Sequence, residues 1–280
     1  MASVASGSSR AGQAGAAPLK VKKFVGSVAR LEWAKDNGCP WQPGTCAQAA
    51  RGGRLEVLRW AREHGCDWDA WTCGNAAEGG HLEVLQWATR HGCPWREDDW
   101  HGDADIFTWN CCSLAARGGH LEVLKWLREH GCPSDSYTLA WAAAGGHLEV
   151  LEWAWEHGSR WEPDSDSGQM DNDRDCCALA AEHGHLEVLK WLQEHDCPWD
   201  ECTCQHAAAR GHLEVLQWAR AHHCPWDEGT CHCAAEGGHL AVLQWARENH
   251  CPWDHHVRTY AANEEIRQWA IAHGCPDAPV

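Results

Sequence analysis

A repeated segment is the feature that most limits how this chain can fold. At residues 79–95 it reads G-G-H-L-E-V-L-Q-W-A-T-R-H-G-C-P-W, and copies of its first half recur along nearly the whole sequence. The tryptophan at its ninth position occurs nine times, at spacings of 27, 27, 39, 27, 38, 27, 27 and 24 residues. These tryptophans are Trp33, Trp60, Trp87, Trp126, Trp153, Trp191, Trp218, Trp245 and Trp269. A fixed period of this kind is typical of an array in which each unit buries its apolar face only against its neighbours.

The tryptophan spacing also places the boundaries. Nine units of 27 residues with two insertions nearly fill residues 18–280, so we expect one array there and no second domain. The insertions fall at about 97–108 and 164–174. Residues 1–17 are rich in Ala, Ser and Gly and predict a disordered tail. An organellar transit segment is the alternative for this tail, because it contains no acidic residue.

Each unit predicts two short helices. In the unit that starts at Trp226, Asp227 can cap a first helix over Glu228–Glu236, and a glycine pair at 237–238 ends it. A second helix then runs over 240–249, with apolar residues at helical spacing on one broad face. Helices of this length are marginal alone, so stacking between units must stabilise them. We therefore expect an all-α helical-repeat solenoid, with one row of tryptophans on the second helices and another in the loops.

The segment around His81 resembles an ankyrin repeat. The resemblance lies in Ala76-Ala77, Gly80-His81, Leu82, Val84-Leu85 and Gly92, and it recurs in at least seven units. Two differences stand out: ankyrin units are 33 residues long, and here only seven residues separate Gly65 from Thr72, too few for the family's β-hairpin finger. The chain looks like a short, Trp-rich ankyrin variant without fingers. The resemblance implies a non-catalytic protein–protein interaction scaffold or adaptor.

The resemblance also implies where a partner would bind. Ankyrin proteins often vary the positions that follow Ala-Ala on the first helix, on the concave side of the array. We call these positions the first-helix row, and their alternating charge could select a partner of complementary charge. The row consists of Arg51, Glu78, Arg117, Ala144, Glu182, Arg210 and Glu236. A simply solvated row stays open as the alternative.

The insertion at 97–108 is a second candidate contact. It combines acidic residues with Trp100 and Phe107, and Trp109 follows it directly. Aromatic residues are enriched where partners bind, so we expect Trp100, Phe107 and Trp109 to contact a protein partner. A solvated acidic loop is the alternative.

Cysteine and histidine are abundant but form no convincing catalytic or metal site. Cys202 and Cys204, like Cys231 and Cys233, are two positions apart and would point about 200° apart on a helix. Disulfides between equivalent cysteines of neighbouring units are disfavoured, because stacked helices lie about 8–10 Å apart. Any catalytic pair would recur in several units, whereas an active site is normally single. We expect no enzyme, no cofactor and no metal; a structural spacer and a Cys/His metal or redox module stay open as alternatives.

Charge and hydropathy narrow the partners further. The formal charge is −17, which disfavours binding to nucleic acid and to anionic membranes. No apolar run approaches the ~18 residues that would span a bilayer. The 18 cysteines follow the repeat, and the sequence lacks a secretory signal, so reduced thiols in an intracellular, cytoplasmic protein are the better interpretation. We expect a monomer that binds a protein of unknown identity.

Overall fold

The computed structural model describes residues 25–38, 44–95, 110–132, 136–161 and 175–278. The predicted tail at 1–17 and both insertions, with Trp100, Phe107 and Trp109, lie outside the described residues.

The described residues form helices joined by turns and short loops, without a strand. The second helix of each unit carries the periodic tryptophan. These helices are α1 (Val28–Asp36), α3 (Leu55–Glu63), α5 (Leu82–Arg90), α7 (Leu121–Glu129), α9 (Leu148–Glu156), α11 (Leu186–Glu194), α13 (Leu213–Ala221), α15 (Leu240–Glu248) and α17 (Glu264–Ala272). The described first helices are α2 (Gly44–Arg51), α4 (Ala70–Glu78), α6 (Cys111–Arg117), α8 (Ser136–Gly145), α10 (Cys176–Glu182), α12 (Glu201–Ala209), α14 (Glu228–Glu236) and α16 (His256–Thr259). The prediction of an all-α repeat solenoid is confirmed. None of these helices is long and apolar enough to cross a membrane.

The helix bounds agree closely with the repeat pattern, but the predicted cap does not form. In α14 the bounds are those predicted, and α15 ends one residue earlier than expected, with Asn249 as its C-cap. Asp227 holds the N-cap position of α14 in extended conformation, yet its side chain caps nothing. Its Oδ1 instead accepts a hydrogen bond from Gln205 Nε2 of the preceding unit at 2.9 Å. The carboxylate therefore joins two units.

The core of the array is built from small side chains on the first helices. Ala, Cys and Thr fill the contact between neighbouring first helices; Cys73, Ala76 and Ala77, for example, are fully buried. These helices pack closely along the whole array, whereas neighbouring second helices make few contacts. Small residues allow backbones to approach, and the larger leucines and tryptophans of the second helices hold theirs apart. The array therefore curves, with the first helices on its inner side.

At the start of five second helices, a histidine joins one unit to the unit before it. His81 Nε2 lies 3.0 Å from the carbonyl oxygen of Arg51, and His147 Nε2 lies 3.0 Å from that of Arg117. A carbonyl can only accept, so Nε2 carries the proton. The imidazole packs against the second glycine of the preceding unit and the first glycine of its own unit, so that a Cβ at Gly80 or at Gly118 would collide with His120. The Gly-Gly-His motif is therefore one joint, shared between units.

The unit that contains α17 contacts its neighbour differently, because it lacks this motif. A backbone hydrogen bond replaces that of the histidine, with Ala262 N donating to Ala235 O at 2.9 Å. Asn263 then caps α17, accepting a hydrogen bond from Ile266 N at 3.0 Å.

The tryptophans form one interleaved row, which corrects the prediction of two separate rows. The loop indole of one unit packs edge-on against the helix indole of the next, as with Trp68 and Trp87 (5.8 Å between ring centres) and Trp226 and Trp245 (5.9 Å). Seven of the helix indoles also stack on the histidine four residues later, for instance His91 on Trp87 at 4.4 Å. The spacing alone could not show this, because loop and helix tryptophans share the same period.

Candidate partner-binding surface

The first-helix row lies where the sequence places it, at the ends of the first helices. Arg51 ends α2 and Glu78 ends α4, and their side chains meet across the unit boundary, with Arg51 Nη2 3.1 Å from Glu78 Oε1. Four units further along, Arg210 pairs with Glu182, with Nη2 2.6 Å and Nε 3.1 Å from Oε1. Charges of opposite sign in neighbouring units therefore neutralise one another along the row.

The two members of each pair differ in exposure. The side chains of Arg51 and Arg210 are 55% and 62% exposed, whereas those of Glu78 and Glu182 are 17% and 22% exposed. Burial opposes the ionisation of Glu182, but the hydrogen bond and charge of Arg210 outweigh it and lower the pKa of this carboxyl. The glutamates thus act as covered anchors that hold guanidinium groups toward solvent.

Arg210 corrects the register of the row. Arg51, Glu78, Arg117, Glu182 and Glu236 each end a first helix, and Ala144 is the last residue but one of α8. Arg210 is instead the C-cap that follows α12, and Ala209 ends that helix. The carbonyl oxygen of Ala209 lies against Gly237 of the next unit, as that of Arg51 lies against Gly79. Ala209 is therefore the residue of its unit that corresponds to Arg51. The run of three alanines at 207–209 made the position after Ala-Ala ambiguous. Arg210 still reaches the row, because its long side chain turns back to Glu182.

The remaining members of the row differ in chemistry. Arg117 is exposed and holds its guanidinium 4.9 Å from the centre of the Trp141 ring. Ala144 is buried and interrupts the row. Glu236 is exposed, and its Oε2 lies 3.6 Å from His232 Nε2 on the same helix. The part of the row that reaches solvent is therefore dominated by Arg51, Arg117 and Arg210, with Glu236 at its far end.

A set of shallow grooves on the outer side was not predicted. Between α3 and α5, the Arg62 guanidinium lies 4.1 Å from the centre of Trp68, and Trp87 and His91 complete the lining. Arg247 lies 4.3 Å from Trp253 in the equivalent groove, which Trp269 and His273 complete. A sequence signal exists, since arginine precedes the loop tryptophan by six residues at 62/68, 220/226 and 247/253. The sequence does not show that these side chains stack.

One group of side chains could hold a metal ion, although the sequence suggested none. Asp254, His255 and His256 bring three potential ligand atoms within 4.8 Å of one another at the start of α16. His256 Nδ1 already bonds Asp254 Oδ2 at 2.6 Å. Burial opposes the ionisation of Asp254, but the side-chain and backbone hydrogen bonds of His256 together with its charge outweigh burial and lower the pKa of this carboxyl. The visible signal is the Asp-His-His run, which replaces residues of the regular repeat. The pair is satisfied without an ion.

The comparisons with known proteins agree with this architecture. Family models described as ankyrin repeats match residues 46–89 and 113–203. The structure resembles the crystal structure of the human ASB11 ankyrin repeat domain, with a TM-score of 0.50 and 16% sequence identity, over 74% of this chain and 99% of that one. At this identity the likeness concerns the fold alone. No curated protein matches the sequence. The repeat motif, the helix pairs and the family matches together show that residues 46–89 and 113–203 of this chain are ankyrin repeats.

Proposed function

We propose that this protein is a non-catalytic interaction scaffold that binds an acidic segment of a partner protein along its first-helix row. Ankyrin repeats are generally protein–protein interaction modules. The observation that carries the proposal is the unequal exposure of the row, in which Arg51 and Arg210 extend to solvent from largely covered glutamates.

The chemistry of the row favours a carboxylate-rich partner. Guanidinium groups bind carboxylates through two parallel hydrogen bonds, and arginine is enriched among residues that dominate interfaces. The row presents these groups although the chain as a whole carries a charge of −17. Arg51 and Arg210 are each paired with a less exposed glutamate, but their guanidinium groups reach solvent and would attract and orient an acidic segment on a molecule that is otherwise negative.

The insertions extend the same proposal. Residues 97–108 and 164–174 enter at loop positions, and Trp100, Phe107 and Trp109 would add apolar contacts beside the arginines. The proposed setting is the inside of the cell, where the reduced thiols of the repeat would persist.

The outer grooves favour a second binding mode. Trp87, His91 and Arg62 combine an aromatic face with a cation, which is the composition of energetically dominant interface residues. An outer site would bind aromatic or apolar side chains of a partner rather than carboxylates. It competes with the first-helix row as the location, while the scaffold function is the same.

Single charge reversals can distinguish these surfaces. Arg210→Glu and Arg51→Glu, compared separately with the full chain in affinity capture, should lose acidic partners, since each variant sets carboxylates against carboxylates. Arg90→Glu is the matched control, because Arg90 is exposed and lies on a second helix. Circular dichroism should show equal helicity in all variants.

The outcomes separate the alternatives. Loss of partners in the two row variants with retention in Arg90→Glu supports the proposal. An unchanged partner set in both row variants contradicts it. Deletion of 97–108 and 164–174 then shows whether the insertions contribute, and a chain that captures no specific partner would be a structural spacer.

A further inference from the structure

Six units carry a pair of cysteines separated by 20 residues. The first cysteine lies on the first helix and the second follows the end of the second helix by three residues. The pairs are Cys46/Cys66, Cys73/Cys93, Cys112/Cys132, Cys177/Cys197, Cys204/Cys224 and Cys231/Cys251. All twelve are buried, and none of them is in a disulfide. This pairing lies within one unit, whereas the disulfides that the sequence disfavours would join equivalent cysteines of neighbouring units.

The two thiols of a pair are in contact. Cys46 Sγ lies 3.4 Å from Cys66 Sγ, and both residues are fully buried. In other units the paired cysteine also shifts a thiol pKa. A hydrogen bond with Cys204, together with burial, raises the pKa of Cys224, and a hydrogen bond with Cys251, together with burial, raises the pKa of Cys231. The contact therefore recurs along the array and is not a local accident of packing.

Among the paired cysteines of the described residues whose pKa shifts, Cys66 alone has a lowered pKa. Cys46 donates its S–H to Cys66 Sγ, and this bond, aided by the nearby Arg62 charge and opposed by burial, lowers the pKa of Cys66. The same contact and burial raise the pKa of Cys46. One proton is thus held on Cys46 while Cys66 gains thiolate character, which makes Cys66 the better nucleophile.

In three other units the second cysteine donates a hydrogen bond to the carbonyl oxygen of the residue that precedes the first helix of its unit. Cys224 Sγ donates to Asp200 O at 3.4 Å, and Cys251 Sγ donates to Asp227 O at 3.3 Å. A thiol that donates to a carbonyl keeps its proton and is a poor nucleophile. The corresponding contact of Cys66, with the carbonyl oxygen of the adjacent Asp67, is longer, at 3.6 Å. Cys66 is fully buried but lies between the exposed residues Gly65 and Asp67, close to the surface along the chain.

We propose that Cys46 and Cys66 form an oxidation site that closes to an intra-unit disulfide with hydrogen peroxide, ahead of the other pairs. The Cys66 thiolate attacks one peroxide oxygen and breaks the O–O bond, giving a sulfenic acid and hydroxide, which takes up a proton to form water. Cys46 then loses its proton and attacks Cys66 Sγ, and the sulfenic oxygen leaves as water. Two thiols and one peroxide become one disulfide and two waters, so the sulfurs are oxidised and the peroxide is reduced.

The bond would join the first helix of a unit to the end of its second helix. It fixes α2 relative to the turn after α3, next to Arg51 of the first-helix row. The inference does not depend on the proposed partner, because the chemistry needs only the folded chain and the oxidant.

The test treats the reduced, folded full-length chain with increasing hydrogen peroxide, blocks the remaining thiols by alkylation, and maps disulfides without reduction. Cleavage before Asp67 and Asp69 separates Cys66 from Cys73, and fragment spectra distinguish Cys46 from Cys39. We expect the Cys46–Cys66 bond at the lowest dose that oxidises any cysteine, with the intact mass reduced by two hydrogen atoms.

Two variants make the result specific. In Cys46→Ser the sulfenic acid on Cys66 has no thiol partner, so a dimedone adduct on Cys66 should accumulate instead of the disulfide. Cys204→Ser removes the equivalent cysteine of another unit and should leave the Cys46–Cys66 bond unchanged. If Cys46→Ser does not fold, the dose series of the unmodified chain still decides. Oxidation of another pair first, persistence of both thiols while other cysteines react, or sulfinic acid on Cys66 without a cross-link would each overturn the proposal.

Discussion

Three non-glycine residues occupy backbone positions at which most units have glycine. The residue after the C-cap of the second helix has positive φ, as in Gly92 at 81°. Asp196, His223 and His250 hold the same position at 57°, 69° and 67°. A side chain in this left-handed region is disfavoured by roughly 1 kcal/mol, and less for short polar residues.

His223→Gly should therefore stabilise the protein. We expect the free energy of unfolding to rise by about 1 kcal/mol, because the strain at φ 69° disappears and the exposed imidazole contributes little there. Urea unfolding followed by circular dichroism measures the change. Gly92→His is the reverse experiment: a Cβ there meets nothing within 4 Å, so its cost is in the backbone alone. Equal stability of both variants and the parent would refute this account.

At this scale the sequence shows the role of most repeated residues but not their partners. The glycine and histidine of each joint are recognisable from the repeat as turn and helix start. That His81 bonds a carbonyl of the preceding unit is not, because the sequence does not state how far neighbouring units are rotated. The cysteine pairs had a visible signal, a constant 20-residue spacing, that appears only when cysteines at different positions of the repeat are compared.

The N-cap of the first helix is where otherwise similar elements differ. Asn110 caps α6 in a capping box, with Ser113 N donating to its Oδ1 at 2.8 Å. Asp175 caps α10 in the same manner, with Ala178 N at 2.9 Å, and is 3% exposed. Burial, and to a lesser degree the charge of Asp200, raises the pKa of Asp175. A neutral amide and a buried carboxyl thus both serve as N-cap acceptors, in the two units that follow the insertions.

Asp175→Asn should stabilise the protein near neutral pH. The folded pKa of Asp175 lies above its unfolded value, so its contribution to stability is complete below the unfolded pKa and is lost as pH rises through the folded pKa. Asparagine keeps the cap and removes the buried charge. We expect a higher urea midpoint for the variant at about pH 7 and convergence with the parent at about pH 4.

The control for this prediction is the exposed cap Asn263 of α17. Asn263→Asp introduces a carboxylate at the same cap position in contact with water, and it should change stability by less than the substitution at Asp175. A lower midpoint for Asp175→Asn at neutral pH would show that the buried carboxyl is favourable there.

Helix bounds were predictable because each unit repeats its own start and stop signals. The side-chain cap expected at Asp227 was wrong, since Gln205 of the neighbouring unit competes for the same oxygen. Arg210 was assigned to the row although it lies one residue after the true row position, Ala209, because three successive alanines fit the motif in two registers. The first error arises from a contact between units, which the pattern of one unit does not show. The second arises from a run of identical residues, in which the pattern does not fix the register.

Across the whole molecule, the histidine joints connect stability to pH. Burial lowers the pKa of His120 and of His185, against the opposing effect of their carbonyl partners Glu78 and Ala144. The folded pKa lies below the unfolded one, so this stability is present above the unfolded pKa of about 6.5 and is lost as pH falls through the folded pKa. Acidification should therefore weaken the joints between units.

His120→Gln tests the joint directly. We expect a loss of about 1 kcal/mol of unfolding free energy at about pH 7.5, the worth of a hydrogen bond in a partly buried site. The difference from the parent should shrink at about pH 5.5, since the parent loses its neutral imidazole and the variant has none. Unfolding curves at both pH values measure this. A difference that grows on acidification would mean that the charged imidazole is the stabilising form.

The histidine of each joint bonds a backbone carbonyl oxygen of the preceding unit, and not a side chain. His81 meets the carbonyl of an arginine, His185 that of an alanine and His212 that of a glutamate, at 3.0, 3.1 and 3.0 Å. The side chain at the row position is therefore free to change without disturbing the connection. Units of this kind are interchangeable parts: removing or duplicating 27 residues restores the same joint, while the surface that faces a partner can diversify one position at a time.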